Sequence, residues 1–109
     1  MMNLNEKYPE VWIKIKKREI EQKDIVATIL NLAKKILSEI KHGTRNEEDI
    51  GDIFGIYMSA SSNGYKFKND AENFFLELGE YKVEINGKKM SSLTLKQIEQ
   101  KIKELEGEN

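Results

Sequence analysis

Few residues in this chain are equipped for chemistry. Cysteine is absent and His42 is the only histidine, which excludes disulfides, thiol nucleophiles and Cys-based metal sites and leaves His42 without a second imidazole. At the end of an apolar-periodic stretch, His42 reads as a surface cap whose charge suits a helix C-terminus. Ser59, Ser61 and Ser62 lack a Gly-x-Ser-x-Gly elbow and a partner base placed by any motif. Glu47, Glu48 and Asp49 with Asp52 invite a metal, but not in the Asp-x-Asp-x-Asp-Gly register of a calcium loop. They read as the solvated start of a short helix after a Thr44–Glu47 capping box. Gly51 and Gly55 precede no Lys-Ser or Lys-Thr pair, so no phosphate loop is formed. The expectation is a protein with no enzymatic activity, no metal and no cofactor.

The elements come next. Residues 24–42 carry the strongest pattern: Val26, Ile29, Leu30, Ala33, Ile36, Leu37 and Ile40 recur at steps of three and four, one broad stripe of an amphipathic helix. Asp24 is the expected N-cap and Gly43 the left-handed stop. Such a rod is roughly 28 Å long, enough to cover a small sheet. Upstream, residues 1–10 read as flexible, and residues 11–16 as a short strand, with a helix starting at Pro9 as the rival. Trp12, the only tryptophan, is expected to close one end of the core.

From Ile53 onward, Asn63-Gly64, Gly79-Glu80 and Asn86-Gly87 read as two-residue hairpin turns. Counting from them sets Ala60 opposite Phe67, Leu76 opposite Val83, Val83 opposite Met90 and Glu84 opposite Lys89. One face then gathers Phe54, Ile56, Met58, Ala60, Phe67, Phe74, Leu76, Leu78, Tyr81, Val83, Ile85 and Met90, with Lys88, opposite Ile85, the one charge on it. The other gathers Tyr57, Ser59, Lys66, Lys68, Phe75, Glu77, Lys82, Glu84 and Lys89. Helical spacing at residues 71–78, and at Ile50, Ile53, Phe54 and Tyr57, is the local rival; Gly51 and Gly55 would cost about 1 kcal/mol each in a helix. Thr94 and Gln97 form a capping box before the narrow Leu95, Ile98, Ile102, Leu105 seam of a last helix.

The fold expected is therefore α+β. A single domain spans residues 1–109, with an antiparallel meander of about five strands at residues 53–92. The long N-terminal helix covers one face of that sheet, and a C-terminal helix follows at residues 94–106. Tyr57, Lys66, Lys68, Phe75, Lys82 and Lys89 are the candidate binding residues, on the open polar and aromatic face.

Composition limits the partners. The 109 residues carry a net charge of −1, with 39% hydrophobic and 34% charged residues, so no global field favours nucleic acid or an anionic membrane. Only Arg18 and Arg45 are arginines, few for reading bases. No apolar run is long enough to span a bilayer and no signal-peptide pattern opens the chain, so a cytoplasmic address is expected. The Lys, Ile, Asn and Glu bias points to an AT-rich genome, such as that of a low-GC bacterium or its phages.

Residues 87–97, Gly-Lys-Lys-Met-Ser-Ser-Leu-Thr-Leu-Lys-Gln, resemble the strand-to-helix junction of the single-stranded-DNA-binding transcriptional coactivators, small proteins of four strands and a helix. The resemblance covers about a dozen residues. That family's basic, aromatic strand has no counterpart, because residues 81–85 hold no arginine. Two aromatics, Tyr57 and Phe75, on one open face among the strand lysines suit stacking of unpaired bases or a protein contact, and the resemblance keeps a nucleic-acid partner among the expectations.

The first expectation for function is a small adaptor or inhibitor, of a kind encoded by phages and mobile elements, that engages a protein partner through this face. A single-stranded nucleic-acid binder and a nucleotide-binding protein with a pocket between subunits are the alternatives. For assembly, a homodimer through the last helix's seam or a sheet edge is one expectation, and a monomer with that seam packed inward is its rival.

Overall fold

The computed structural model describes residues 3–82, 84–89 and 93–107. Among these it is helical, which overturns the α+β fold. Six α-helices run α1 Leu4–Lys7, α2 Pro9–Lys16, α3 Ile25–Lys41, α4 Asp52–Ser62, α5 Asn69–Gly79 and α6 Leu95–Gly107. Two strands of two residues each, β1 Glu84–Ile85 and β2 Lys88–Lys89, are all the described residues keep of a sheet.

The long stripe folds as its periodicity dictates. Ile25, Ile29, Leu30, Ala33, Ile36 and Leu37 are buried along α3. Its start differs in detail: the Asp24 side chain makes no cap bond, and the Thr28 hydroxyl instead donates to the Asp24 carbonyl at 2.8 Å. Its end is a left-handed stop at Gly43, φ +76°, with Thr44 N–H reaching back to the Glu39 carbonyl. α6 begins with the reciprocal capping box: Thr94 N–H to Gln97 Oε1 at 2.8 Å, and Gln97 N–H to Thr94 Oγ1 at 3.1 Å. Its Ile98, Ile102 and Leu105 turn inward against α3 and α5.

Residues 11–16 form a helix and not a strand, with Pro9 in its first turn, where a missing N–H costs nothing. Trp12 is half-buried at the edge of the core. The meander is replaced by α4 and α5, packed against each other. Asn63-Gly64 ends α4 rather than turning a hairpin: Gly64 takes φ +91°, Gly64 N–H bonds the Ser61 carbonyl, and Tyr65 N–H bonds the Ala60 carbonyl. A positive φ suits a helix C-terminus as well as a type I′ turn. Gly79 closes α5 before a 3-10 turn at Glu80–Lys82.

Of the three hairpins, the one at Asn86-Gly87 forms, with Glu84 opposite Lys89 and Ile85 opposite Lys88 as counted. Val83 and Met90 lie outside the described residues. The Thr44–Glu47 capping box is absent; Asn46 precedes the 3-10 turn Glu47–Gly51, and Thr44 Oγ1 donates to the Glu39 carbonyl.

The core lies between α3 on one side and α4 with α5 on the other, closed by α2 and α6. α2 ends on Arg18 in the left-handed region, φ +56°. Its guanidinium stacks 4.2 Å over the Tyr65 ring and donates to the Asn63 carbonyl at 2.8 Å, placing a cation at the C-terminus of α4.

Candidate functional site

The expected binding face is not assembled. Phe75 is fully buried and Tyr57 is 4% exposed. Both rings belong to a cluster with Phe54, Phe67 and Phe74, the Tyr57 and Phe67 centroids 4.9 Å apart and edge-on. Residues 53–57 and 71–78 follow a period of 3.6, so Phe75 joins Ala71, Phe74 and Leu78 on the inner side of α5 while Leu76 turns outward. Lys66 and Lys68 are exposed in the connector between α4 and α5, where Gln22 holds the Lys66 backbone through both its N–H and its carbonyl. The side chains of Lys82 and Lys89 lie outside the described residues. Stacking of bases on Tyr57 and Phe75 is therefore closed off, since neither π-face is open to solvent.

Two groupings that were not legible in the sequence take the place of that face. The first is a polar network where the N-terminal helices meet the start of α4. Asp52, 2% exposed, accepts from Lys7 Nζ at 2.7 Å and from the Tyr8 hydroxyl at 2.8 Å. Lys7 also reaches Asp49 at 3.2 Å, and Arg45 bridges Glu39 at 2.6 Å, the Tyr8 hydroxyl at 3.2 Å and Asp49 at 3.4 Å. Asp52 is thus no part of a solvated helix start. Burial alone would lower the Lys7 pKa, but its hydrogen bonds to Asp52 and Asp49 leave it raised. Burial and the Asp52 contact push the Tyr8 hydroxyl well above the usual tyrosine range. Each group has its partner, and the network ties α1 and α2 to the start of α4.

The second grouping is an apolar seam on the outer side of α4 and α5. Met58 is 44% and Leu76 43% exposed. Phe54 and Met58 stand one turn apart on α4, and Leu76 and Gly79 one turn apart on α5. The Phe54 ring lies against Gly79, where an added methyl would sit 2.6 Å from it. Met58 and Leu76 therefore flank the same seam from its two sides. A lone exposed leucine in the sequence carries no signal; the pairing needs the helical register of both segments.

A cleft of about 340 Å³ runs between α3 and α6, floored by Leu37 and Ile102 and crossed by the Lys34–Glu106 and Lys41–Glu99 ion pairs. Among the described residues no group of three His, Asp or Glu is placed to hold a metal, and no helix is long and apolar enough to cross a membrane. Comparison with known proteins finds no matching family model, no matching curated protein and no matching solved structure.

Proposed function

We propose that this chain is a non-enzymatic helical binding protein that acts by engaging another protein. The observation that carries this reading is the pair Met58 and Leu76, two large apolar side chains held open to solvent on adjoining helices. Each exposed side chain alone is ordinary; two on one seam beside Phe54 make a contiguous patch of the kind that partners cover. The satisfied state of the Lys7, Tyr8, Arg45, Asp49, Asp52 network supports the same reading, because its charged groups stabilise helix packing. A photo-crosslinking residue at position 76, compared with one at position 35 on the exposed side of α3, tests it in extract of the native host. A discrete protein adduct formed from position 76 and not from 35 is expected. Absence of a protein adduct from positions 58 and 76 and from Ile13, the other large apolar side chain open to solvent among the described residues, would overturn the reading.

A further inference from the structure

Charge is distributed unevenly around the Met58–Leu76 seam. Residues 46–65 and 69–81 contain no lysine or arginine, and the only basic residues between them are Lys66 and Lys68 in the connector. Asp70, Glu72, Glu77 and Glu80 all belong to α5 and the turn that follows. None of the four has an ion-pair partner among the described residues, a state they share with carboxylates elsewhere such as Glu6, Glu10, Glu48 and Glu104. Glu72 accepts the Tyr57 hydroxyl at 2.6 Å, which orients its carboxylate without neutralising it. Glu72 and Glu80 stand one helical turn before and one turn after Leu76, whereas Asp70 and Glu77 turn toward α6, where they line a groove with Lys101 and Glu104. The result is an apolar row with negative charge at both ends.

Resting on the binding role proposed above, we infer that this seam receives a basic amphipathic helix of a partner protein, with an apolar side chain over Leu76 and Met58 and a lysine or arginine one turn to either side. An apolar side chain at position i with basic residues at i−4 and i+4 matches Glu72, Leu76 and Glu80 position for position. The carboxylates repel nucleic acid and anionic lipid, so the face selects against both. A second copy of this chain is the poorer occupant. The basic end of α2 offers exposed Ile13 with Lys17 one turn later, but Pro9 stands one turn earlier. Such a contact would join unlike surfaces and propagate head to tail instead of closing.

The test uses the full chain and two labelled synthetic helical peptides with one leucine row. Lysines flank that row in one peptide and glutamates in the other, and binding is read by fluorescence anisotropy at low and high salt. The lysine peptide is expected to bind about tenfold or more tightly than the glutamate peptide, with an affinity that falls as salt rises. Leu76→Lys, at an exposed position that leaves the fold intact by circular dichroism, should weaken it by about tenfold, and Ile13→Lys should not. Equal binding of both peptides, binding of neither, or indifference to Leu76→Lys overturns the inference. So does concentration-dependent growth in sedimentation that Leu76→Lys abolishes, which assigns the seam to a second copy. A protein partner captured through another face, unaffected by Leu76→Lys, removes this surface while leaving the binding role standing.

Discussion

The rings of Tyr57 and Phe75 lie 5.6 Å apart, centroid to centroid, in the contact that joins α4 to α5. Phe75 has no exposed surface, and the next residue, Leu76, is 43% exposed. Phe75→Ala should therefore cost about 3–5 kcal/mol of unfolding free energy, the range for deleting a buried ring. Leu76→Ala should stay within about 0.5 kcal/mol, as an exposed helical position allows. Urea denaturation of the two variants checks this. Equal losses would mean that the inner face of α5 is misassigned.

Asp52 is the anchor of the network that holds α1 and α2. Asp52→Ala removes the acceptor of the Tyr8 hydroxyl proton, leaving that oxygen only its Arg45 contact, and removes the closer of the two Lys7 partners. A loss of about 1–3 kcal/mol is expected, since Lys7 keeps Asp49 and some contact with water. Amide hydrogen exchange should show the loss concentrated in residues 4–16. A uniform loss across all helices would contradict a role in tethering the N-terminal segment.

Three tyrosines donate their hydroxyls to carboxylates: Tyr8 to Asp52, Tyr57 to Glu72 and Tyr81 to Glu47. Burial, then the carboxylate contact, raises all three pKa values, that of Tyr57 from 10.0 to about 12. A raised folded-state value means the folded protein holds the proton longer than the unfolded chain. The associated stability is fully present below pH ~10 and is lost as pH rises through about 12 for Tyr57. Denaturant midpoints should thus fall steeply in this alkaline window, and Tyr57→Phe should make the fall shallower. A midpoint flat across the window would remove these contacts as contributors.

Where periodicity was long, the sequence could be read; where segments were short, two periods competed. Seventeen residues of α3 repeat the helical spacing too often for a strand to mimic. The Thr94–Gln97 pair marks the start of α6 by chemistry that has one common use. Eleven residues of α4 or α5 are different. Phe74, Leu76 and Leu78 alternate like a strand, while Ala71, Phe74, Phe75 and Leu78 repeat like a helix, and only tertiary packing selects between them. Asn63-Gly64 then added a false confirmation, because the same dipeptide satisfies the left-handed stop of a helix. Counting sheet register from it and from Gly79-Glu80 put Tyr57 and Phe75 outside and so placed the binding face on two buried rings. The buried role of Asp52 was equally hidden, since its partners are more than forty residues away in the chain.

Arg18 occupies a position that usually belongs to glycine. Arg18 N–H bonds the Ile15 carbonyl and Glu19 N–H the Lys14 carbonyl, the pattern that ends α3 at Gly43 and α4 at Gly64. The left-handed backbone costs Arg18 about 1 kcal/mol, which its stacking on Tyr65 and its bond to the Asn63 carbonyl offset. Arg18→Ala keeps the strain and loses both contacts, so it should destabilise by about 1–2 kcal/mol. Arg18→Gly relieves the strain as it loses the contacts and should come within about 0.5 kcal/mol of the parent. Thermal unfolding of the two variants separates backbone from side chain. Equal losses would mean that φ at this position carries no strain.

Gly55 sits inside α4, where glycine weakens the helix by about 1 kcal/mol relative to alanine, and Gly79 is the last residue of α5; each allows a close approach of different stiffness. At Gly79 an added methyl would meet Cγ of the Phe54 ring at 2.6 Å and Cδ1 at 2.8 Å. The clash is with the near end of that side chain, Cγ and both Cδ atoms, which a change at the far edge of the ring cannot relieve, and Tyr57 stands 6.4 Å away between centroids. At Gly55 the nearest atom is a terminal methyl of Leu4, on a half-buried side chain that can change rotamer. Gly79→Ala should therefore destabilise by about 1–3 kcal/mol in spite of its better helix propensity. Gly55→Ala should fall near zero, the propensity gain offsetting the displaced Leu4. The Gly79 variant should also change the crosslinking yield from position 76, because Leu76 lies one turn from the strained contact. A Gly79→Ala protein of unchanged stability would mean that α4 and α5 do not meet through Phe54, and the seam between Met58 and Leu76 would lose its floor.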